Sequence, residues 1–481
     1  MKRVLTLLLP LLFACACETL LPDTPPQEET DAQILQTRHY VNLFAYNVMN
    51  TYYLWEAEVE EGLKTWAFTD EPKEKVKTLR YKDDRWTQML EDYNAFVGEV
   101  SGNTTSFGFD FFLTYADADK KYVLAIVTYT YADSPAAAGG LRRGDVITTL
   151  NGKRMTPDNY IDLLNSTLFA KGSVTLGLLQ GREISMTAVQ MYENPVQTVT
   201  TIVLPSGKKV GYLHYASFTL ASCADLESAF RGFREEGIDE LVLDLRYNGG
   251  GYVTAGTALA SMIAPLAEVE AGSVFNMDIY NERLTQAWGD NITPFAAEMT
   301  VKVDGNNVTV HPGAVNPDLR RVWVITGTGT ASASEALICG LSPYMDVMVV
   351  GEKTAGKFCG GFILDAKGWY EEIQKEVDNA DIDFASAFKY CGNWGIYVMV
   401  SRYTDKDRRT LSMPDGIAPG IPMQDDPMDG FALGDPQETI LSAILSRIEG
   451  STKAAAPIIG PDPLRLPDTW RPDRPGRILS R

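Results

Sequence analysis

The stretch Arg321-Val322-Trp323-Val324-Ile325-Thr326-Gly327-Thr328-Gly329-Thr330-Ala331-Ser332-Ala333-Ser334-Glu335 decides the fold. Its first six residues form a short apolar, β-branched run that reads as a buried strand. A loop of small residues follows. A helix then begins near Ser332 and gives way to a second apolar strand, Asp346 to Val350. The same order occurs upstream: a strand from Val210 to Tyr215, then a helix with Leu226, Ala229, Phe230 and Phe233 on one face. The buried strand Glu240-Leu241-Val242-Leu243-Asp244-Leu245 and the loop Arg246-Tyr247-Asn248-Gly249-Gly250-Gly251 complete that unit. Strands alternating with helices from Lys208 onward predict a mostly parallel sheet covered on both faces. Active groups of such sheets gather at the carboxyl ends of the strands, where the glycine-rich loops lie.

Outward from this α/β core the character changes. Between Gly102 and Met191 the chain is a series of short β-rich runs, among them Tyr122 to Val127, Asp145 to Leu150 and Val174 to Leu179, interrupted by one helix near Asn159 to Leu168. Ile34 to Trp55 carries apolar residues at helical spacing, and Arg85 to Val100 repeats the pattern more weakly. The expected organisation is multidomain α/β: a leader over 1–17, a tether over 18–33, a helical N-terminal domain over 34–100, a β-rich domain over 101–192, the α/β core over 193–450, and a Pro-rich, loosely ordered tail over 451–481. Within the core, Asp365 to Trp394 shows no period and reads as an insertion.

Composition excludes several functions. The 481 residues carry 63 Asp plus Glu against 43 Lys plus Arg, a formal net charge of −20. Such a surface repels phosphate backbones and anionic membranes, so no nucleic-acid partner is expected. The three histidines, His39, His214 and His311, are scattered, and no metal site is expected. Met1-Lys2-Arg3 followed by the apolar run Val4 to Phe13 reads as a secretion signal, too short to span a bilayer. It ends in Leu12-Phe13-Ala14-Cys15-Ala16-Cys17, which resembles the lipobox of bacterial lipoproteins. Cys15 and Cys17 are both candidates for lipidation. That implies an exported lipoprotein with a lipid anchor, periplasmic or outer-membrane-associated. Four further cysteines, Cys223, Cys339, Cys359 and Cys391, allow three pairings in an oxidising compartment, a Cys359–Cys391 pair being one candidate.

Two segments could carry chemistry. A helix starting at Ser332 would offer free N–H groups and a dipole to an oxyanion beside a serine nucleophile. The same Ser332-Ala333-Ser334-Glu335 is also a capping box, which explains those residues without chemistry. The second segment, Gly351-Glu352-Lys353-Thr354-Ala355-Gly356-Lys357, fits the glycine pattern of a phosphate loop. Phe358 stands where that loop needs Ser or Thr for Mg²⁺, and Cys359-Gly360-Gly361 is no helix start. On that reading Lys357 would be a turn lysine in solvent.

Taken together, Gly329 to Leu337 and Val349 to Lys357 resemble the nucleophile and base segments of the carboxyl-terminal processing proteases, S41 serine peptidases with a PDZ domain. The resemblance makes Ser332 the nucleophile and Lys357 the general base, and likens Asp244 to Gly251 to the family's oxyanion loop, with N–H groups of Gly249 or Gly250 and of Ala333 as donors. Tyr131 to Ile147, then Asn151-Gly152, is similar to the family's PDZ domain. Its expected carboxylate loop is Ser106-Phe107-Gly108-Phe109, for which a plain turn into a strand is the alternative.

The implied activity is a serine endopeptidase that binds protein or peptide substrates by flexible C-termini and cuts nearby through an acyl-enzyme, without cofactor. A lysine base must be neutral, and burial is the ordinary means. Many family members place a glutamine four residues after the lysine, whereas here the residue is Gly361. That departure leaves room for a catalytically silent PDZ peptide-binding protein, and the phosphate-loop match for a nucleotide-binding one. His214 is an alternative base, as in tricorn-type proteases, or else a core or edge histidine.

Overall fold

The computed structural model describes residues 30–289, 291–376, 382–450 and 464–466. The leader, Cys15, Cys17 and the tether up to residue 29 lie outside the described residues, as does most of the tail. Helix α1 (Asp31–Tyr52) opens on a capping box between Thr30 and Gln33 and buries Val41, Phe44, Ala45, Val48 and Met49. The chain continues through β1 (Gln88–Leu90), α2 (Tyr93–Ser101) and β2 (Asn103–Ser106). The face of α1 packs with Ala366, Tyr370, Ala387, Cys391, Ile396 and Val398 in one core. Residues 34–100 therefore share their core with the later chain rather than forming a domain of their own. Asp365 to Trp394 packs into that core through its helices Ala366–Glu376 and Phe384–Tyr390. Their apolar residues are interleaved with Lys and Glu, which hides the period in the sequence.

The β-rich part comprises β3 (Phe109–Tyr115), β4 (Val123–Thr130), β5 (Val146–Leu150), α3 (Tyr160–Ser166), β6 (Ser173–Leu178) and β7 (Glu183–Thr187). Its sheet runs β3-β4-β5-β6-β7, antiparallel throughout. Phe111, Leu113, Ile147, Leu163, Leu164 and Leu176 close its core. Strand β8 (Val189–Tyr192) pairs instead with β2. β3 is an edge strand, and the tail residues Leu464 to Leu466 lie antiparallel along it. Tyr115 N–H donates to Leu464 O at 2.8 Å and Leu466 N–H to Leu113 O at 2.9 Å. At these three residues the tail is seated, contrary to the loose order expected from its composition.

The core holds β9 (Val196–Val203), β10 (Lys209–Tyr215), α4 (Ser222–Glu236), β11 (Glu240–Asp244), α5 (Val253–Ile263) and β12 (Val274–Tyr280). It continues with β13 (Arg321–Thr326), α6 (Ala333–Leu341), β14 (Asp346–Gly351), β15 (Cys359–Asp365), β16 (Gly395–Thr404), β17 (Ile421–Pro422) and α7 (Thr439–Ile448). The main sheet runs β9-β10-β11-β13-β14-β17 and is parallel except for β9. Alternation along each strand divides the packing. Leu213, Leu243 and Val324 join α4, α5 and α6 in one cluster, whereas Tyr212, Val242, Trp323 and Ile325 join α7 in another. Burial on both faces is why these strands read as continuous apolar runs. A second, antiparallel sheet is built on the ten-residue β16, with β15 along one edge and β1 and β12 along the other. All four described cysteines are buried free thiols, so the Cys359–Cys391 pair is not formed.

Candidate active site

The carboxyl ends of β11, β13 and β14 bring the two motif loops together. Ser332 links β13 to α6 with φ 57° and ψ −116°, a conformation that costs a non-glycine residue of order 1–3 kcal/mol and presents its side chain at a sharp turn. It is half-buried and is the N-cap of α6, where the Glu335 side chain accepts from the Ser332 N–H, the reciprocal half of a capping box. Ala333 N–H, at the first position of that helix, has no acceptor among the described residues.

Asn248 joins the glycine loop to this turn. Its side chain donates to Tyr215 O at 2.9 Å, and its carbonyl accepts from Ala331 N–H at 3.1 Å and from Ser334 Oγ at 3.1 Å. Gly250 has φ +103°, and a Cβ there would lie 2.7 Å from Ser332 Cβ, 2.9 Å from Ala331 O and 3.0 Å from Ala333 N. Only glycine leaves that space open. Gly250 N–H is itself engaged, donating to Asn248 Oδ1 at 2.8 Å. Among the described residues Gly249 N–H has no acceptor, so the N–H groups of Gly249 and Ala333 are both unengaged. Gly250 contributes the space.

Lys357 is only 1% exposed, not a turn lysine in solvent. Its Nζ donates to Tyr397 Oη at 2.7 Å and lies 4.9 Å from that ring's centroid; among the described residues it has no carboxylate partner. The loop carrying it leads from β14 into β15, a strand, so the helix that a phosphate loop needs is absent.

Glu335 ties the Ser332 and Lys357 segments together. One carboxylate oxygen accepts from Ser332 N–H at 2.9 Å and from Lys357 N–H at 2.8 Å. The other accepts from Gly356 N–H at 2.8 Å and from Thr354 Oγ1 at 2.5 Å. Burial raises this carboxyl above its ordinary value, opposed by the Thr354 hydroxyl and the three backbone donors. The sequence shows Glu335 only as a cap, because its other partners arrive from a separate loop.

The glycine loop is also anchored from below. Arg246 lies between Asp244 at 2.8 Å, Asp425 at 2.7 Å and Glu438 at 2.7 Å, all buried. Arg143, from the turn before β5, reaches Asp425 at 2.8 Å and Tyr247 Oη at 2.5 Å. Arg143 and Arg246 hold the Asp425 carboxyl well below the usual range despite its burial. His214 is buried against Tyr129, with ring centroids 5.0 Å apart. Burial lowers it to about 4, with Asp244 opposing, which is the behaviour of a neutral core histidine.

A cleft of about 160 Å³ runs from Ser106, Phe107 and Phe109 to Gly249, Gly250 and Gly251. Gly108 N–H donates to Ser106 Oγ at 2.9 Å, and that hydroxyl donates to the Glu193 carboxylate. The cleft thus connects the loop that precedes the β3 edge with the glycine loop beside Ser332.

Residues 209–423 match the model of peptidase family S41, and residues 126–168 match a PDZ domain. The chain thus carries an S41-type peptidase domain with a PDZ domain ahead of it. It is 29% identical over 300 residues to a chloroplastic C-terminal processing peptidase of Tetradesmus obliquus, a match covering 58% of each chain. It is 26% identical over 352 residues to a carboxyl-terminal-processing protease of a Picosynechococcus strain, covering 68% of this chain and 74% of that one. A crystal structure from Bacteroides fragilis, assigned to the S41 proteases, shares the fold with TM-score 0.62 at 23% identity, over 89% of this chain and 99% of that one.

Proposed function

We propose that the chain is a serine endopeptidase in which Ser332 is the nucleophile and Lys357 the base, and that it takes flexible protein C-termini through the PDZ domain and cuts near them. The observation that carries this reading is the shared Glu335 carboxylate, which accepts from the backbone of both Ser332 and Lys357. In its neutral form the Lys357 amine takes the Ser332 hydroxyl proton as Oγ attacks the scissile carbonyl carbon. The carbonyl oxygen becomes an oxyanion against the N–H groups of Ala333 and Gly249. Collapse expels the amine fragment, which receives the proton from Lys357, and leaves an acyl-Ser332 ester. Water then adds with the same proton relay and releases the acid.

The cleft supports delivery: a segment added to the β3 edge lies in continuity with the glycine loop. Protein lacking residues 1–17 should cleave a folded substrate bearing a flexible tail. Undiminished cleavage by Ser332→Ala or Lys357→Ala would remove the assignment. The silent-binder alternative rests on Gly361 alone, and a fluorophosphonate probe separates the two, because only an activated serine is labelled. Tethering through Cys15 or Cys17 is part of the proposal, and palmitate labelling lost on replacing both cysteines would support it.

A further inference from the structure

We infer that Tyr397 is the positioning residue of the lysine base, standing in for the glutamine absent at 361; this rests on the reading of Lys357 as base. The Lys357 Nζ to Tyr397 Oη distance is 2.7 Å, and no other side chain hydrogen-bonds that amine among the described residues. A lysine ends a flexible four-carbon stem and needs such a partner to hold one geometry. Tyr397 is itself held rigidly. It lies in β16 between Gln88 of β1 and Ile363 of β15, is 8% exposed, and packs its ring against Phe96 at 5.6 Å.

Gly361 and Tyr397 are two parts of one arrangement. The β15–β16 register is irregular between Gly360 and Gly361. A Cβ at 361 would lie 2.4 Å from Met399 Cε, 2.6 Å from Val398 O and 2.9 Å from Tyr397 Cε2. No side chain fits there, so a polar group must come from another strand, and Tyr397 supplies it.

The test is Tyr397→Phe in the full chain, which keeps the ring and removes the hydroxyl. With a flexible-tailed protein substrate, kcat should fall roughly tenfold or more at unchanged KM, with a displaced pH profile for kcat. Wild-type kcat and pH profile would overturn the inference. A lower kcat on an unchanged pH profile would assign the hydroxyl to packing and overturn it too. Lys357→Ala separates the two levels: if it is inactive while Tyr397→Phe is wild-type, only the Tyr397 role falls, whereas full activity in Lys357→Ala overturns the dyad itself.

A different observation carries a second inference independently: residues 464–466 are a ligand in cis for the β3 edge, whose ligand class is an extended segment with aliphatic residues flanking a basic one. The segment pairs antiparallel with β3, running toward the Ser106–Phe109 end, and Leu466 is 5% exposed within the β-rich core. Arg465 lies over the Phe112 ring at 4.4 Å and reaches Glu352 at 3.2 Å, in the loop that leads to Lys357. The sequence brackets the strand with Pro463 and Pro467, which cannot donate to a ladder.

An incoming segment must displace this one. A labelled peptide of residues 460–470 should bind full-length Arg465→Ala and Leu466→Asp at least tenfold more tightly than wild type. Equal affinities for the three chains, with melting curves showing all folded, would overturn the cis-ligand reading.

Discussion

Glu335 is the residue on which the site depends, since its two oxygens accept four hydrogen bonds from four residues in two separate segments. Glu335→Gln turns one acceptor into a donor facing donors. The expected cost is about 3 kcal/mol in chemical denaturation, with a slower fluorophosphonate reaction at Ser332. Gly250→Ala tests the adjoining space, where a methyl group would meet Ser332 Cβ, Ala331 O and Ala333 N. Turnover should drop by roughly 100-fold or more, more than its effect on substrate binding. The segments that carry Ser332, Lys357, Gly249 and Ala333 are legible in the sequence because each is a contiguous motif. Tyr397 is not: it lies 40 residues from Lys357 in an apolar strand where a tyrosine reads as core. The Glu335 bridge is invisible for a related reason, since the box motif accounts for it locally and its second set of partners is 19 to 22 residues away.

At the scale of elements, the alternation of strands and helices after Lys208 was enough to place both loops at the carboxyl ends of a parallel sheet. The strands there are buried on both faces and therefore carry an unambiguous apolar signal. The antiparallel sheet around β16 was not readable, because its partners come from opposite ends of the chain: β1 precedes it by about 300 residues. Helix α6 gives an element-scale prediction. Ser332→Ala removes the hydroxyl but leaves the Ser332 N–H bond to Glu335 in place, so it should abolish turnover while changing stability by less than about 1 kcal/mol. Parallel melting and activity measurements on that variant check both. The loop after β14 leads into a strand, so titration with ATP or GTP should give no binding signal.

Across the whole molecule, the buried charge cluster couples the PDZ turn to the oxyanion loop through Arg143, Asp425, Tyr247 and Arg246. Acidification should loosen the protein in two stages. His214 is lowered to about 4 in the fold from an ordinary 6.5, so between those values the unfolded chain binds the proton and the folded one does not. Stability is then full above pH 6.5 and is lost as pH falls toward 4, by roughly 3 kcal/mol at most from this group. Below that, Asp425 and Asp244, both depressed in the fold, extend the loss. Denaturation midpoints across pH 4 to 7 should flatten in His214→Gln.

The central claim is that Ser332 and Lys357 form one catalytic unit. Fluorophosphonate labelling of the full chain, with the modified residue mapped by mass spectrometry, tests it most directly. A single adduct on Ser332 is expected in the wild type and none in Lys357→Ala at equal folding. An adduct on a different serine, or undiminished Ser332 labelling in Lys357→Ala, would contradict it.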